Sequence, residues 1–142
     1  MSHEKLKVNA ICADGVNLPC ENDFFDCVID SGCITANKYD DAIRMYREIF
    51  RILKTSGKIF TALLGKNCQG YGDGDEVEPD SYKNIRFGNM QGRGLIHFYD
   101  NDRLTQMLSL AGFDDVVIDS DLYTDNGDKV EFILGKAYKS QG

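Results

Sequence analysis

Phe24-Phe25-Asp26-Cys27-Val28-Ile29 is the stretch on which the fold turns. It is short, apolar and rich in strand formers, and a segment of different period follows it. From Tyr39 to Leu53, the residues Ala42, Met45, Tyr46, Ile49, Ile52 and Leu53 recur at three- and four-residue spacing, with Arg44, Arg47, Glu48, Arg51 and Lys54 mostly turned outward. That pattern predicts an amphipathic helix, with Gly57 as its stop. Lys58-Ile59-Phe60-Thr61-Ala62-Leu63-Leu64 then reads as a second buried strand. Strand, helix and strand in this order predict an α/β domain built on a parallel sheet. Phe24–Ile29 is expected to be a central strand covered on both faces.

Upstream, Leu6 to Cys12 alternates apolar and polar as a half-buried strand does, until Asp14-Gly15 and Leu18-Pro19 break it. Downstream, residues 65–94 are long, rich in glycine and carry a single proline, Pro79. A loop of that length in a compact domain is functional or disordered. Asp100 is expected to cap a helix running to Ala111, whose inner face is Leu104, Met107, Leu108 and Ala111 and whose stop is Gly112. Val116-Val117-Ile118 opens a strand. Asp125-Asn126-Gly127-Asp128 is a hairpin turn, because Asn-Gly accepts the positive φ angles that a tight turn demands, and Val130 to Leu134 returns as the partner.

The chain has 142 residues and a net charge of −7, enough for one domain and without the basic stripe of a duplex-binding protein. Nucleic acid is therefore not expected as a partner. No apolar run is long enough to span a bilayer, and the polar opening Met1-Ser2-His3-Glu4-Lys5 carries no signal-peptide core. A cytoplasmic protein without a membrane is expected. The five cysteines, Cys12, Cys20, Cys27, Cys33 and Cys68, include no CxxC pair and read as reduced thiols rather than a zinc site. Asp73-Gly74-Asp75 lacks the ligand series of a calcium loop, so no metal is expected.

Cys12-Ala13-Asp14-Gly15-Val16-Asn17-Leu18-Pro19-Cys20 followed by Phe24 to Ile29 resembles the "gDa-x-x-LPf … FDxVi" signature of the class I S-adenosylmethionine (SAM) methyltransferases. Arg47 to Gly57 resembles that family's "REixRvLKpGG" segment, with Thr55-Ser56-Gly57 in place of Pro-Gly or Gly-Gly. His97-Phe98-Tyr99-Asp100 through Leu108, Ala111, Gly112 and Phe113 resembles its "hffs…l…aGF" helix. The likeness runs from about Leu6 to Lys139. It implies a partial Rossmann-like sheet closed by an antiparallel hairpin, in a single truncated domain over residues 1–142. The family's sheet order is 3-2-1-4-5-7-6. Its opening strand, G-x-G-x-G loop, helix and second strand with a terminal acid have no counterpart before Leu6, so strands 1 and 2 are expected to be absent. An edge left open in this way invites association, so a homo-oligomer, such as a dimer, or a complementing chain is expected.

The resemblance also implies SAM as cofactor and a small-molecule methyl acceptor. Asp14 takes the place of the acid that accepts from the adenine amino group, with Gly15 and Val16 offering backbone to the adenine edge. Asp30, Ser31 and Gly32 end a parallel strand, where such folds place ligands. Tyr71, Tyr82 and Tyr99 are candidates to line a substrate pocket beneath a lid formed by residues 65–94. His97 is the one candidate general base, because histidine titrates near neutrality. Asp26 reads as structural. A second reading keeps the fold and drops the chemistry, leaving an inactive relic that serves as a binding or oligomerisation module. A third, an unrelated α/β nucleotide binder, is disfavoured because no glycine-rich phosphate loop follows a strand and opens a helix.

Overall fold

The structure is a computed structural model that describes residues 12–86 and 90–140. The strand expected over Leu6 to Cys12 lies outside the described residues except for Cys12. Within them the order is β1 (Phe25–Ser31), a 3-10 turn (Ile34–Ala36), α1 (Tyr39–Ile52), β2 (Leu53–Leu64), β3 (Asp75–Glu78), β4 (Ser81–Lys83), β5 (Ile96–His97), α2 (Asn101–Ala111), β6 (Asp114–Asp125) and β7 (Asp128–Tyr138).

The main sheet has the order β1-β2-β7-β6. β1 and β2 are parallel, with Val28 opposite Ile59 and Asp30 opposite Thr61. β7 runs antiparallel between β2 and β6. This is the 4-5-7-6 portion of the sheet order that the sequence implied. Asn126 at φ 51° and Gly127 at φ 86° make the β6–β7 turn, as the Asn-Gly pair predicts.

Both helices lie on one face of this sheet. The apolar stripe of α1 (Ala42, Ile43, Tyr46, Ile49) and that of α2 (Leu104, Met107, Leu108, Ala111) close over Ile59, Leu63, Ile133 and Ala137 in one core. The Asp100 carboxylate accepts from the Arg103 N–H at 2.7 Å, which starts α2, and Gly112 ends it in the left-handed region at φ 110°.

Three expectations need correction. Among the described residues, Phe24–Ile29 is not covered on both faces: β1 is an edge strand of the described sheet, with Ile29 74% exposed. Gly57 does not stop α1, which ends at Ile52 when Leu53 turns extended and opens β2 directly. The left-handed residue there is Ser56 at φ 71°. Gly57 serves close approach instead, since a Cβ at this position would lie 2.7 Å from the Lys54 carbonyl oxygen. Finally, the glycine-rich stretch after β2 is not one continuous loop. It contains β3 and β4, which pair with β5 in a small antiparallel sheet. Tyr82, Ile85, Met90, Ile96 and Phe98 pack there against Leu64 and Val130 as a second core.

Candidate functional site

The parallel strands β1 and β2 end together, and the segments around those ends build the site. Asp30, the second-last residue of β1, is buried. One carboxylate oxygen accepts from the backbone N–H groups of Cys33 and Ile34, each at 3.3 Å, and fixes the 3-10 turn. The other accepts from the Thr61 hydroxyl at 2.7 Å. Thr61 has a single proton to give, so the Tyr46 hydroxyl, 2.8 Å away, donates to it. Burial pushes the Asp30 carboxyl above its ordinary range, with the Thr61, Ile34 and Cys33 bonds opposing the shift. Gly32 stands at φ 76° with open space where a Cβ would project, a conformation that favours glycine.

Asp14 closes its own turn. Its carboxylate accepts from the Val16 N–H at 3.1 Å and its carbonyl from the Asn17 N–H at 3.0 Å. The next residue, Gly15, lies so close to the Met45 side chain that a Cβ would collide with it. Gly15, Leu18, Ile29, Asp30, Ile34 and Met45 are among the walls of an open, mostly apolar cleft of about 200 Å³. The structure therefore brings the turn at residues 14–16 and the end of β1 to one place. Such a cleft suits one flat aromatic ring system, with the exposed Asp14 next to its glycine wall.

A second cleft, about 300 Å³, is lined by Gly32, Thr35, Ala36, Leu64, Arg93 and Ile96 among others. It joins the β1 end to the segment between β2 and α2. Thr35 ties the two, donating its hydroxyl to the His97 carbonyl at 2.8 Å while accepting from the Leu64 N–H at 3.2 Å. Behind it lies a polar node centred on Glu78. One oxygen of this carboxylate accepts from the first N–H of α1, on Tyr39, at 2.6 Å, and from the Ser81 hydroxyl at 2.7 Å. It also stands 3.2 Å from His97 Nδ1. Burial raises a carboxyl, but these three donors outweigh it and hold Glu78 below its ordinary value. Burial lowers His97, and Glu78 opposes this only in part. A third, polar cleft of about 510 Å³ lies at the start of α2, with Lys66, Tyr99, Asp100 and Glu131 in its walls.

The expected site residues are thus distributed among several places. Gly15 and Asp30 share the first cleft, Gly32 lines the second, and Ser31 is exposed at the end of β1. Val16 belongs to the Asp14 turn. His97 is fully buried in β5. Tyr71 and Tyr82 pack edge to face with ring centroids 5.7 Å apart. The Tyr71 hydroxyl donates to Asp80 at 2.6 Å and is pushed up to about 12, first by that bond. Tyr82 donates to Glu76 at 3.0 Å. Tyr99 is buried in the main core and forms part of the wall of the third cleft. Thr35, Thr61, Glu78 and Ser81 were not singled out from the sequence. A lone threonine inside the apolar run 58–64 was the one signal that could have flagged Thr61.

Residues 1–61 match the family model described as a methyltransferase domain. Over 63 residues, 44% of this chain, the sequence is 35% identical to an uncharacterized protein of Methanocaldococcus jannaschii, of which this stretch is 27%. A SAM-dependent methyltransferase from Methanosarcina mazei superposes with TM-score 0.72 at 19% identity, covering 92% of this chain and 66% of that one. The Burkholderia thailandensis 1,6-didemethyltoxoflavin-N1-methyltransferase, solved with 1,6-didemethyltoxoflavin and S-adenosylhomocysteine, gives 0.66 at 18% identity, covering 92% of this chain and 50% of that one. The chain thus spans about a quarter of the curated relative and one half to two thirds of these structures. Its β1-β2-β7-β6 order, with helices on one face and a closing hairpin, agrees with those superpositions, and the fold is that of the class I SAM-dependent methyltransferases.

Proposed function

We propose that this chain takes part in SAM-dependent methyl transfer to a small molecule, with the adenine ring of SAM in the cleft beside Gly15 and the acceptor in the cleft beside Thr35. The observation that carries this reading is the meeting of the Asp14–Val16 turn and the Asp30–Gly32 strand end around one apolar cleft at the carboxyl ends of parallel strands. Ligands of open α/β sheets bind at such ends.

The residues present fit the adenosyl end of the cofactor. Leu18, Ile34 and Met45 offer apolar walls to a purine, Gly15 leaves the room that Met45 takes up beside it, and Asp14 supplies an acceptor. When bound, SAM supplies an electrophilic methyl group on sulfur. The work left to the chain is alignment, which can contribute several kcal/mol. Gly32 and Thr35 line the second cleft, and residues 65–94, including β3 and β4, serve as its cover. Tyr82 is buried inside that cover, and the more exposed Tyr71 packs edge to face against it. We read residues 1–142 as one domain.

A second reading, a module whose role is association, is favoured by a different observation. The face of the sheet away from the helices exposes Ile29, Phe60, Val117 and Leu134, and sheets with parallel strands are ordinarily covered on both faces. On either reading this face and the β1 edge take a second copy or a complementing chain. No helix among the described residues is long and apolar enough to cross a membrane.

Titration calorimetry with SAM and with S-adenosylhomocysteine separates the two readings. Binding in the micromolar range is expected for the first, weakened at least tenfold by Asp14→Ala. No heat at millimolar ligand, with a second copy present by sedimentation, would leave only the second.

A further inference from the structure

Among the described residues, three buried side-chain polar atoms have no hydrogen-bond partner: His97 Nε2, the Tyr99 hydroxyl and Arg103 Nε. They belong to neighbouring side chains. The His97 and Tyr99 rings lie 4.5 Å apart. The Arg103 guanidinium sits 3.8 Å over the Tyr39 ring, which is 6.2 Å from His97. An orphaned buried polar atom is costly to a fold, so three in one part of the core point to something that partners them.

Their roles follow from the node around Glu78. A carboxylate only accepts, so the His97 nitrogen that stands 3.2 Å from it, Nδ1, carries the ring proton. The Ser81 hydroxyl gives its proton to Glu78 and can receive from Nδ1, 2.5 Å away. His97 Nε2 is therefore a bare acceptor. Arg103 Nε–H is a donor, and the Tyr99 hydroxyl, which can give or receive, is free to donate. An acceptor beside two donors is the complement of a hydroxyl, which has one proton to give and two lone pairs to fill. A carboxylate would give nothing to Nε2, and an ammonium would accept from neither donor.

We propose that His97 Nε2, the Tyr99 hydroxyl and Arg103 Nε form a buried receptor for one hydroxyl oxygen, supplied by a water molecule or by the methyl acceptor. The water source stands alone, and the acceptor source rests on the methyl-transfer reading above. Position supports the acceptor source, because Thr35 lines the second cleft and bonds the His97 carbonyl. Tyr99 also forms part of the wall of the third cleft. A hydroxyl seated there directs its proton at Nε2. Glu78, on the far side of the ring, balances the charge that an imidazolium would carry.

The test is long-range proton–nitrogen NMR on the full chain with labelled histidine, where the only two histidines are His3 and His97. We expect His97 neutral, protonated on Nδ1, with Nε2 accepting a hydrogen bond and with exchange contacts from its ring protons to a long-lived water. Phenol as probe is expected to displace that water and move the Nε2 signal, whereas anisole, its oxygen already methylated, leaves it in place. Tyr99→Phe is expected to weaken the phenol response about tenfold, the worth of one hydrogen bond. A water contact with no phenol response assigns the receptor to water alone. A proton on Nε2, or a bare Nε2 with neither water nor phenol response, overturns the proposal. None of these measurements needs SAM, so failure of cofactor binding would remove only the acceptor source.

Discussion

The two faces of the four-stranded sheet are built from alternate residues of the same strands, yet they behave as different materials. Ile59, Leu63 and Ala137 face the helices and are fully buried, while Phe60 and Leu134, on the same two strands, are 38% and 41% exposed. The strand period of two creates both faces at once, and the helices select which becomes core. Among the described residues, only the far end of the second face is covered, where Leu64 and Val130 join the core beneath β4 and β5. Burial here is set by what lies on a strand, not by how apolar its residues are.

The largest expected effect falls on the covered face. Leu63→Ala should cost about 2–5 kcal/mol, from lost burial and a cavity that its neighbours fill poorly. Leu134→Ala, the matching change on the other face, should stay within about 0.5 kcal/mol. Urea unfolding of the two variants checks the contrast, and equal losses would mean that the second face is covered in solution.

Next in size is the node that fastens the β3–β4 segment to α1. Glu78→Gln keeps the shape but weakens three bonds to one carboxylate oxygen, and should cost about 1–3 kcal/mol. It should also speed amide exchange at Tyr39, whose N–H that oxygen accepts. The same node sets a pH dependence. His97 in the fold titrates below its ordinary 6.5 because burial disfavours the charged ring. Between the two values the unfolded chain binds more protons, so stability rises with pH there and is lost as pH falls from 6.5. The groups that face the ring are Glu78 from β3, Asp80 beyond it, Ser81 from β4, Tyr39 from α1, and Tyr99 with Arg103 leading into and along α2. Thermal unfolding followed from pH 7 to 5 should show this slope, and His97→Asn should flatten it.

A smaller effect is expected at the strand end. Gly32→Ala forces a side chain into φ 76°, at about 1–2 kcal/mol. Because nothing stands near the added Cβ, the loss is one of backbone conformation alone. The smallest effect separates the faces once more: Ile29→Ser should leave the unfolding midpoint almost unchanged while reducing any self-association seen in sedimentation.

Much of this architecture was legible in the sequence, because local signals and tertiary packing agree where they were strong. The largely apolar stretch Ile59–Leu64 before Gly65, the α1 stripe, the Asp100 cap with Gly112, and the Asn126-Gly127 turn each carry their own geometry. Misreadings arose where a residue has two uses. Gly57 looked like a helix stop, but its lack of a Cβ serves contact with Lys54. Phe24–Ile29 looked doubly buried because apolarity does not report which neighbours are present. The stretch 65–94 looked like loop because its strands are short and interrupted by glycines at positive φ. Of the proposed site, Asp14–Val16 and Asp30–Gly32 could be put forward because they stand in recognisable motifs. Glu78, Ser81, Thr35 and Arg103 could not, because their roles come from contacts between distant segments.

The most direct test of the central claim is a map of amide shifts in isotopically labelled protein as S-adenosylhomocysteine is added. We expect the shifts to centre on residues 14–16 and 30–34, with Met45 responding from α1, and with the hairpin tip at Asn126 unmoved. Shifts confined to the third cleft around Lys66 and Asp100, or no shifts at millimolar ligand, would contradict it.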